Sequence, residues 1–187
     1  MRVPFVLGAV ALVLLAAGCG QGGTAAEQGR PGPSGFPVPR YVSLRFDRVN
    51  ARAGPTEEHP VVWTYRTRGL PVQVIAETVD WRRVCDPDGG VAWVHKRVTD
   101  GRRTALRRET DQLPLLQRPQ PGAPVAAVLN GRSVAPLDRC EGGWCRLQAG
   151  RTTGWAPTTA VWGGAEGVQC RMPDQTRETP APPTRAR

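Results

Sequence analysis

Along the middle of the chain, apolar positions recur every second residue. Val72, Val74 and Ala76 alternate with Gln73 and Glu77, which is the period of a half-buried strand. Such runs are short and end in turn sequences, Asp86-Pro87-Asp88-Gly89-Gly90 in one place and Ala149-Gly150-Arg151-Thr152-Thr153-Gly154 in another. There aspartate caps local backbone groups and glycine supplies positive φ. The pattern then repeats. A strand-like run leads to Trp81 or Trp144, an apolar residue follows three positions later (Val84, Leu147), and a Gly-rich turn precedes Trp93 or Trp155. Upstream, Glu58-His59-Pro60-Val61-Val62 matches Gly122-Ala123-Pro124-Val125-Ala126. An internal repeat of about 60 residues, all-β in each copy, is the simplest account. Five or so short strands cannot make a sandwich in that length, but they can close into a small barrel. Trp81, Trp93, Trp144 and Trp155 are expected to be largely buried within two such barrels.

The flanks follow other rules. Met1-Arg2 precedes an apolar run from Val3 to Ala17, closed by Leu15-Ala16-Ala17-Gly18-Cys19. The run is too short for a comfortable membrane span and reads as a secretory signal over residues 1–18. Its end resembles the lipobox of bacterial lipoproteins, which implies a lipidated Cys19 as the new N-terminus and a membrane anchor. The alternative is soluble secretion, with cleavage after Ala26. Residues 19–40 carry four prolines between 31 and 39 and few large apolar side chains, so a flexible tether is expected there. Residues 166–187 end in a Pro-rich stretch and are expected as a disordered tail, apart from whatever Cys170 ties down.

Composition narrows the function classes. The 187 residues include 22 glycines and 19 prolines, and six of the eleven aromatic residues are tryptophan. Long helices and one large enzyme core are therefore disfavoured. The net charge of +9 comes from 24 arginines and Lys96 against 16 carboxylates, spread without a run of five like charges. Export and this dispersion argue against nucleic acid as a partner. With Cys19 set aside as the lipid site, Cys85, Cys140, Cys145 and Cys170 make an even number for an oxidising compartment. The four residues between Cys140 and Cys145 can turn a hairpin, so these two are expected to pair, leaving Cys85 with Cys170 by elimination. A zinc site needs two close ligand pairs and is disfavoured, because His59 and His95 are not spaced to complete one. No cofactor is implied.

Val49-Asn50-Ala51-Arg52-Ala53-Gly54-Pro55 resembles the opening strand and loop of bacterial SH3 domains. The likeness continues through Pro60-Val61-Val62-Trp63, Gly69-Leu70-Pro71-Val72-Gln73-Val74-Ile75, Trp81-Arg82-Arg83-Val84 and Gly90-Val91-Ala92-Trp93-Val94. It covers about residues 41–101. Ala92 stands where the family often has glycine. The second copy, about 104–165, keeps Trp144 and Gly154-Trp155 but has Leu116-Gln117-Arg118-Pro119-Gln120-Pro121 in place of the first motif. The resemblance implies two tandem SH3-like barrels in the cell envelope, acting as targeting or wall-binding modules.

Asn50 and Arg52 are candidate ligand residues, or else satisfy a turn and pair with Asp47 or Glu57. Trp63 and Tyr65 are the expected binding-groove aromatics, because the second copy replaces them with Ala127 and Leu129 while keeping the other Trp pair. Cys85 with His95 is the one candidate nucleophile pair, and without an orienting third group it does not make an enzyme. Pro180-Ala181-Pro182-Pro183 is a polyproline-type segment that an SH3-like groove could accept. Two functions follow as expectations. One is a non-catalytic module binding peptidoglycan or another anionic wall ligand through the first barrel. The other is an envelope scaffold or assembly factor binding protein segments.

Overall fold

The computed structural model of the chain describes residues 31–165, 169 and 170. The expected signal, Cys19, the first part of the tether and the polyproline segment lie outside the described residues.

The first sheet contains β1 (Arg40–Leu44), β2 (Val49–Arg52), β3 (Val61–Tyr65), β4 (Pro71–Glu77), β5 (Trp81–Cys85), β6 (Val91–His95) and β7 (Thr99–Asp100). Their spatial order is β3-β2-β6-β5-β4-β1-β7. The second contains β8 (Thr104–Leu106), β9 (Leu113–Leu116), β10 (Val125–Leu129), β11 (Val134–Glu141), β12 (Trp144–Ala149) and β13 (Thr152–Pro157), ordered β10-β9-β13-β12-β11-β8. Strand for strand these are the same arrangement, and a 3₁₀ turn follows each sixth strand, at Lys96–Val98 and Thr158–Ala160. The internal repeat is thus two antiparallel all-β units. Register shifts at Val74/Ala76 and Leu137/Arg139 bend the longest strands so that each sheet can curl.

The cores are aliphatic. Val42, Leu44, Val49, Val72, Val74, Val84 and Val94 fill the first, while Leu113, Leu115, Leu129, Leu137 and Leu147 fill the second. The expected burial of the repeat tryptophans holds for Trp81 and Trp155 and is corrected for Trp93 and Trp144. Trp81 and Trp155 are covered and Trp93 and Trp144 are half-buried, yet all four stand outside both core clusters. The cause is parity. Ala92 and Val94 take the inward positions of β6, so Trp93 and His95 fall on the outer face, and Trp81 lies opposite His95 in the ladder.

Two further features position the units. Tyr41, Ile75, Cys85, Trp162 and Cys170 form a third apolar cluster at the junction. Trp162 Nε1–H donates to the Pro71 carbonyl (3.2 Å), and Thr104 Oγ1–H donates to the Gly69 carbonyl (2.6 Å). The disulfide Cys85–Cys170 carries the chain beyond the second unit back to the first, where Gln73 Oε1 accepts the N–H groups of Gln169 (3.0 Å) and Cys170 (3.3 Å). At the other end, residues 31–40 differ from the expected tether. Arg40 (2.5 Å) and the Ser34 N–H (3.0 Å) bond the buried Glu77 carboxylate, so this stretch folds onto β4. Proline richness misleads here because the prolines shape a turn whose polar groups have a partner far away in sequence.

Candidate functional site

The β2–β3 ladder decides what each candidate residue can do. Ala51 lies opposite Trp63 and Val49 opposite Tyr65, while Asn50 lies opposite Thr64. Directly opposed residues share a face. Val49 and Ala51 belong to the core, so Trp63 and Tyr65 point inward with them, and Asn50 and Arg52 point outward. The four expected ligand residues therefore divide between two faces.

Tyr65 is buried, and its hydroxyl donates to Asp86 Oδ2 (3.1 Å). Burial, reinforced by the Asp86 charge, pushes the phenol well above its ordinary pKa. Asp86 meanwhile caps its own turn, with Oδ1 accepting the N–H groups of Asp88 (3.0 Å) and Gly90 (2.8 Å). Tyr65 is a core residue tied to a turn, not a groove residue. Trp63 packs its half-buried indole against the same core, edge-on to Tyr65 at 6.0 Å. In the second unit the equivalent pair is Leu115 opposite Ala127, with Leu129 opposite Leu113. A small residue faces a large one in both units, with the sizes exchanged. The difference between the copies at Trp63 and Ala127 is thus a redistribution of core volume.

On the outer face the picture is different. Arg48, Asn50, Arg52, Glu57, Trp81 and His95 line an open cleft of about 300 Å³. Asn50 Oδ1 accepts the Thr64 hydroxyl (3.0 Å), so what Asn50 offers a ligand is its NH₂ group. Arg52 Nη1 donates to the His59 carbonyl (2.7 Å), which fixes the loop after β2 and holds the guanidinium at the cleft wall. Neither Arg48 nor Arg52 has a carboxylate within 4.0 Å among the described residues, so the sequence-based pairing of Arg52 with Asp47 or Glu57 is not seen. Trp81 stands edge-on to His95 at 5.2 Å, and His95 Nδ1 accepts the Arg97 N–H (3.1 Å). The arrangement supplies two cations, an amide donor and an aromatic edge around one opening.

In the second unit Pro114, Leu116 and Pro157 take the places of Asn50, Arg52 and His95, while uncharged Gln112 takes that of Arg48. Leu116 lies opposite Trp155 as Arg52 lies opposite Trp93, and Pro157 lies opposite Trp144 as His95 lies opposite Trp81. Sequence reasoning missed Trp81 and His95 as cleft residues, because Ala92 and Val94 on one face of β6 and Val91 and Trp93 on the other are all apolar and leave the parity of the strand illegible.

The cysteines pair as Cys85–Cys170 and Cys140–Cys145. Gly142 and Gly143 both take positive φ (55° and 81°), which makes the tight β11–β12 turn that sets Cys140 opposite Cys145. With Cys85 in a disulfide, and Val91 rather than His95 opposite it, the candidate nucleophile pair is not assembled. Among the described residues no cluster of His, Cys, Asp and Glu is arranged to hold a metal.

Among solved structures, the chain is similar to NlpC2 from Trichomonas vaginalis, with 11% identity and a TM-score of 0.31 over 67% of this chain and 48% of that one. NlpC1 from the same organism gives 10% identity and a TM-score of 0.32 over 66% and 45%. The chain thus spans about half the length of each. No curated protein matches it. The family model described as bacterial SH3 domain matches residues 46–101 and again residues 109–163, one match on each barrel. The chain belongs to the bacterial SH3 domain family, of which it carries two tandem copies.

Proposed function

We propose that the protein is a non-catalytic binding module outside the cytoplasm, whose first barrel holds an anionic wall ligand, peptidoglycan, in the cleft around Asn50 and Arg52. The observation that carries this reading is the contrast between the barrels at one address: polar and cationic in the first, uncharged and largely apolar in the second. Arg48 and Arg52 pair with carboxylates of stem peptides, Asn50 donates to a carbonyl, and Trp81 and His95 pack against a sugar or peptide face. Two disulfides suit an oxidising compartment. In this reading Cys19 is lipidated and tethers the module to a membrane.

Sedimentation with purified sacculi at two salt concentrations tests the proposal. Binding is expected to weaken as salt rises, because exposed charges are screened over roughly 8 to 10 Å at physiological strength. Arg48→Ala and Asn50→Ala should each reduce binding while circular dichroism stays unchanged. Arg52→Ala is less clean, since it also releases the His59 carbonyl. No binding at either salt, with a protein partner recovered by crosslinking in intact cells, would transfer the reading to an envelope scaffold. Release of soluble muropeptides would contradict the non-catalytic assignment. For the anchor, mass spectrometry of the mature N-terminus should find acylated Cys19, and an unmodified N-terminus at Glu27 overturns it.

A further inference from the structure

A second surface, at the junction of the barrels, has its own charge pattern. One cleft of about 370 Å³ runs beside Pro39, Arg40 and Tyr41 on one wall and Asp138, Arg139 and Cys140 on the other. An adjoining cleft of about 420 Å³ runs beside Ser43, Leu44 and Arg45 and is walled opposite by Pro136. Arg103 and Leu137 line both, so the two clefts meet there. Together they form a trough along β1 from residue 39 to residue 45, about 20 Å at the rise of an extended strand.

The trough carries a cationic excess. Arg40, Arg45, Arg68, Arg102, Arg103 and Arg139 line it, against the lining carboxylates Asp100 and Asp138, while Arg40 and Arg139 are also paired with Glu77 (2.5 Å) and Glu141 (3.4 Å) outside it. Both carboxylates are already engaged: Asp100 by Arg102 (2.7 Å), Asp138 by Arg139 (3.0 Å) and Arg146 (3.4 Å). Arg45 and Arg68 are exposed and have no carboxylate within 4.0 Å among the described residues. Arg103 sits over the Tyr41 ring (5.4 Å) and donates to the Gly163 carbonyl (2.6 Å), which holds it at the point where the clefts join.

We propose that this junctional trough docks an extended acidic peptide segment of a partner protein. Guanidinium groups suit carboxylates. The floor, by contrast, is apolar at the exposed Pro136, with Leu44 and Leu137 buried beneath it. A polymer carrying only charges would lose hydration against that floor with nothing in return. A peptide alternating acidic and apolar side chains covers both the rim and the floor, and about six or seven extended residues match the length. The trough is separate from the Asn50–Arg52 cleft and does not depend on it.

The test is fluorescence anisotropy of the full chain with a labelled peptide of about eight residues alternating Glu and Val, set beside the same peptide with Lys for Glu. The acidic peptide should bind in a salt-sensitive way and the basic one should not. The double variant Arg45→Glu/Arg68→Glu should lose roughly tenfold or more in affinity, because two attractive rim charges become repulsive. Both side chains are exposed and neither has a carboxylate within 4.0 Å among the described residues, the contact of Arg45 being with the exposed Phe46 ring (5.7 Å), so the fold is expected to be retained and circular dichroism checks it. Sedimentation of that variant with sacculi should be unchanged, which keeps this test apart from the first. Failure of the acidic peptide to bind overturns the proposal, as does equal binding to the double variant. Displacement of the peptide by inorganic polyphosphate at lower charge concentration overturns the peptide assignment in favour of a phosphate polymer.

Discussion

Replacing Gly154 with alanine should destabilise the second barrel, while the same residue is native at the equivalent place in the first, where Ala92 stands. A Cβ at 154 would lie 2.6 Å from Leu115 Cβ and 3.0 Å from the Leu115 carbonyl carbon, so backbone as well as side chain has to shift. Overpacking of this kind costs about 1–3 kcal/mol. In the first barrel Ala51 stands in place of Leu115 and Trp63 in place of Ala127, and Ala51 and Ala92 both belong to the core with Trp63 packed against it. The trio Leu115, Ala127 and Gly154 is thus the counterpart of Ala51, Trp63 and Ala92. Leu115→Ala alone should cost about 2–5 kcal/mol through the cavity it leaves. Combined with Gly154→Ala, the total should stay close to the sum, because the Cβ and backbone atoms of residue 115 that crowd the new methyl are also present in alanine. Adding Ala127→Trp should restore much of the remainder. Chemical denaturation followed by circular dichroism on the four variants completes the cycle. No rescue of Leu115→Ala by Ala127→Trp would refute volume exchange as the reason the two copies differ at these positions, and a silent Gly154→Ala would refute the close approach at 154.

Removing Cys85–Cys170 should cost roughly 4–5 kcal/mol and removing Cys140–Cys145 about 2 kcal/mol on the chain-entropy model, because the bridges span 85 and 5 residues. Denaturation of the paired Cys→Ser variants checks the order, and a costlier short bridge contradicts it. Tyr65→Phe should cost about 1–2 kcal/mol by stripping the buried Asp86 carboxylate of a donor, yet leave sacculus binding intact, the opposite of a ligand residue. For Glu77, burial alone raises the pKa, but hydrogen bonds from Arg40 and Ser34 outweigh it and the net shift is downward. Its contribution is therefore complete above the ordinary carboxylate pKa and lost as pH falls through the lower folded value. Hydrogen exchange should show residues 31–40 loosening in acid before the barrel core, and Glu77→Gln should loosen them at neutral pH.

The all-β class and the repeat could be read from alternation, turn chemistry and family motifs, because each of these is local. What could not be read was the direction of each strand's faces where both were apolar. Along Val91-Ala92-Trp93-Val94-His95 either parity buries something hydrophobic, and size suggests that Trp93 is inside. Tyr65 and Trp63 already bring large side chains to that core, and small Ala92 and Val94 face it. The same ambiguity placed Trp63 and Tyr65 in a groove, when their absence from the second copy reflected packing. Asn50 and Arg52 were recognised because they are polar and their outward direction is unambiguous. Gln73 shows another limit: it is buried in a strand position that alternation assigns to solvent, because Gln169 and Cys170 return to cover it. Trp162, without a tryptophan counterpart in the first copy, was the sequence's one hint of that junction.

The bridge between Cys85 and Cys170 also redirects mechanical load. Tension applied across the described chain, from residue 31 to residue 170, can pass from Cys85 directly into Cys170. The whole second barrel, together with β6 and β7, lies inside that covalent loop. Pulling therefore strains only β1 to β5, and roughly 300 Å of contour length stays withheld while the sulfur bond holds. A module wired this way keeps its second barrel slack under extension while the first bears the strain.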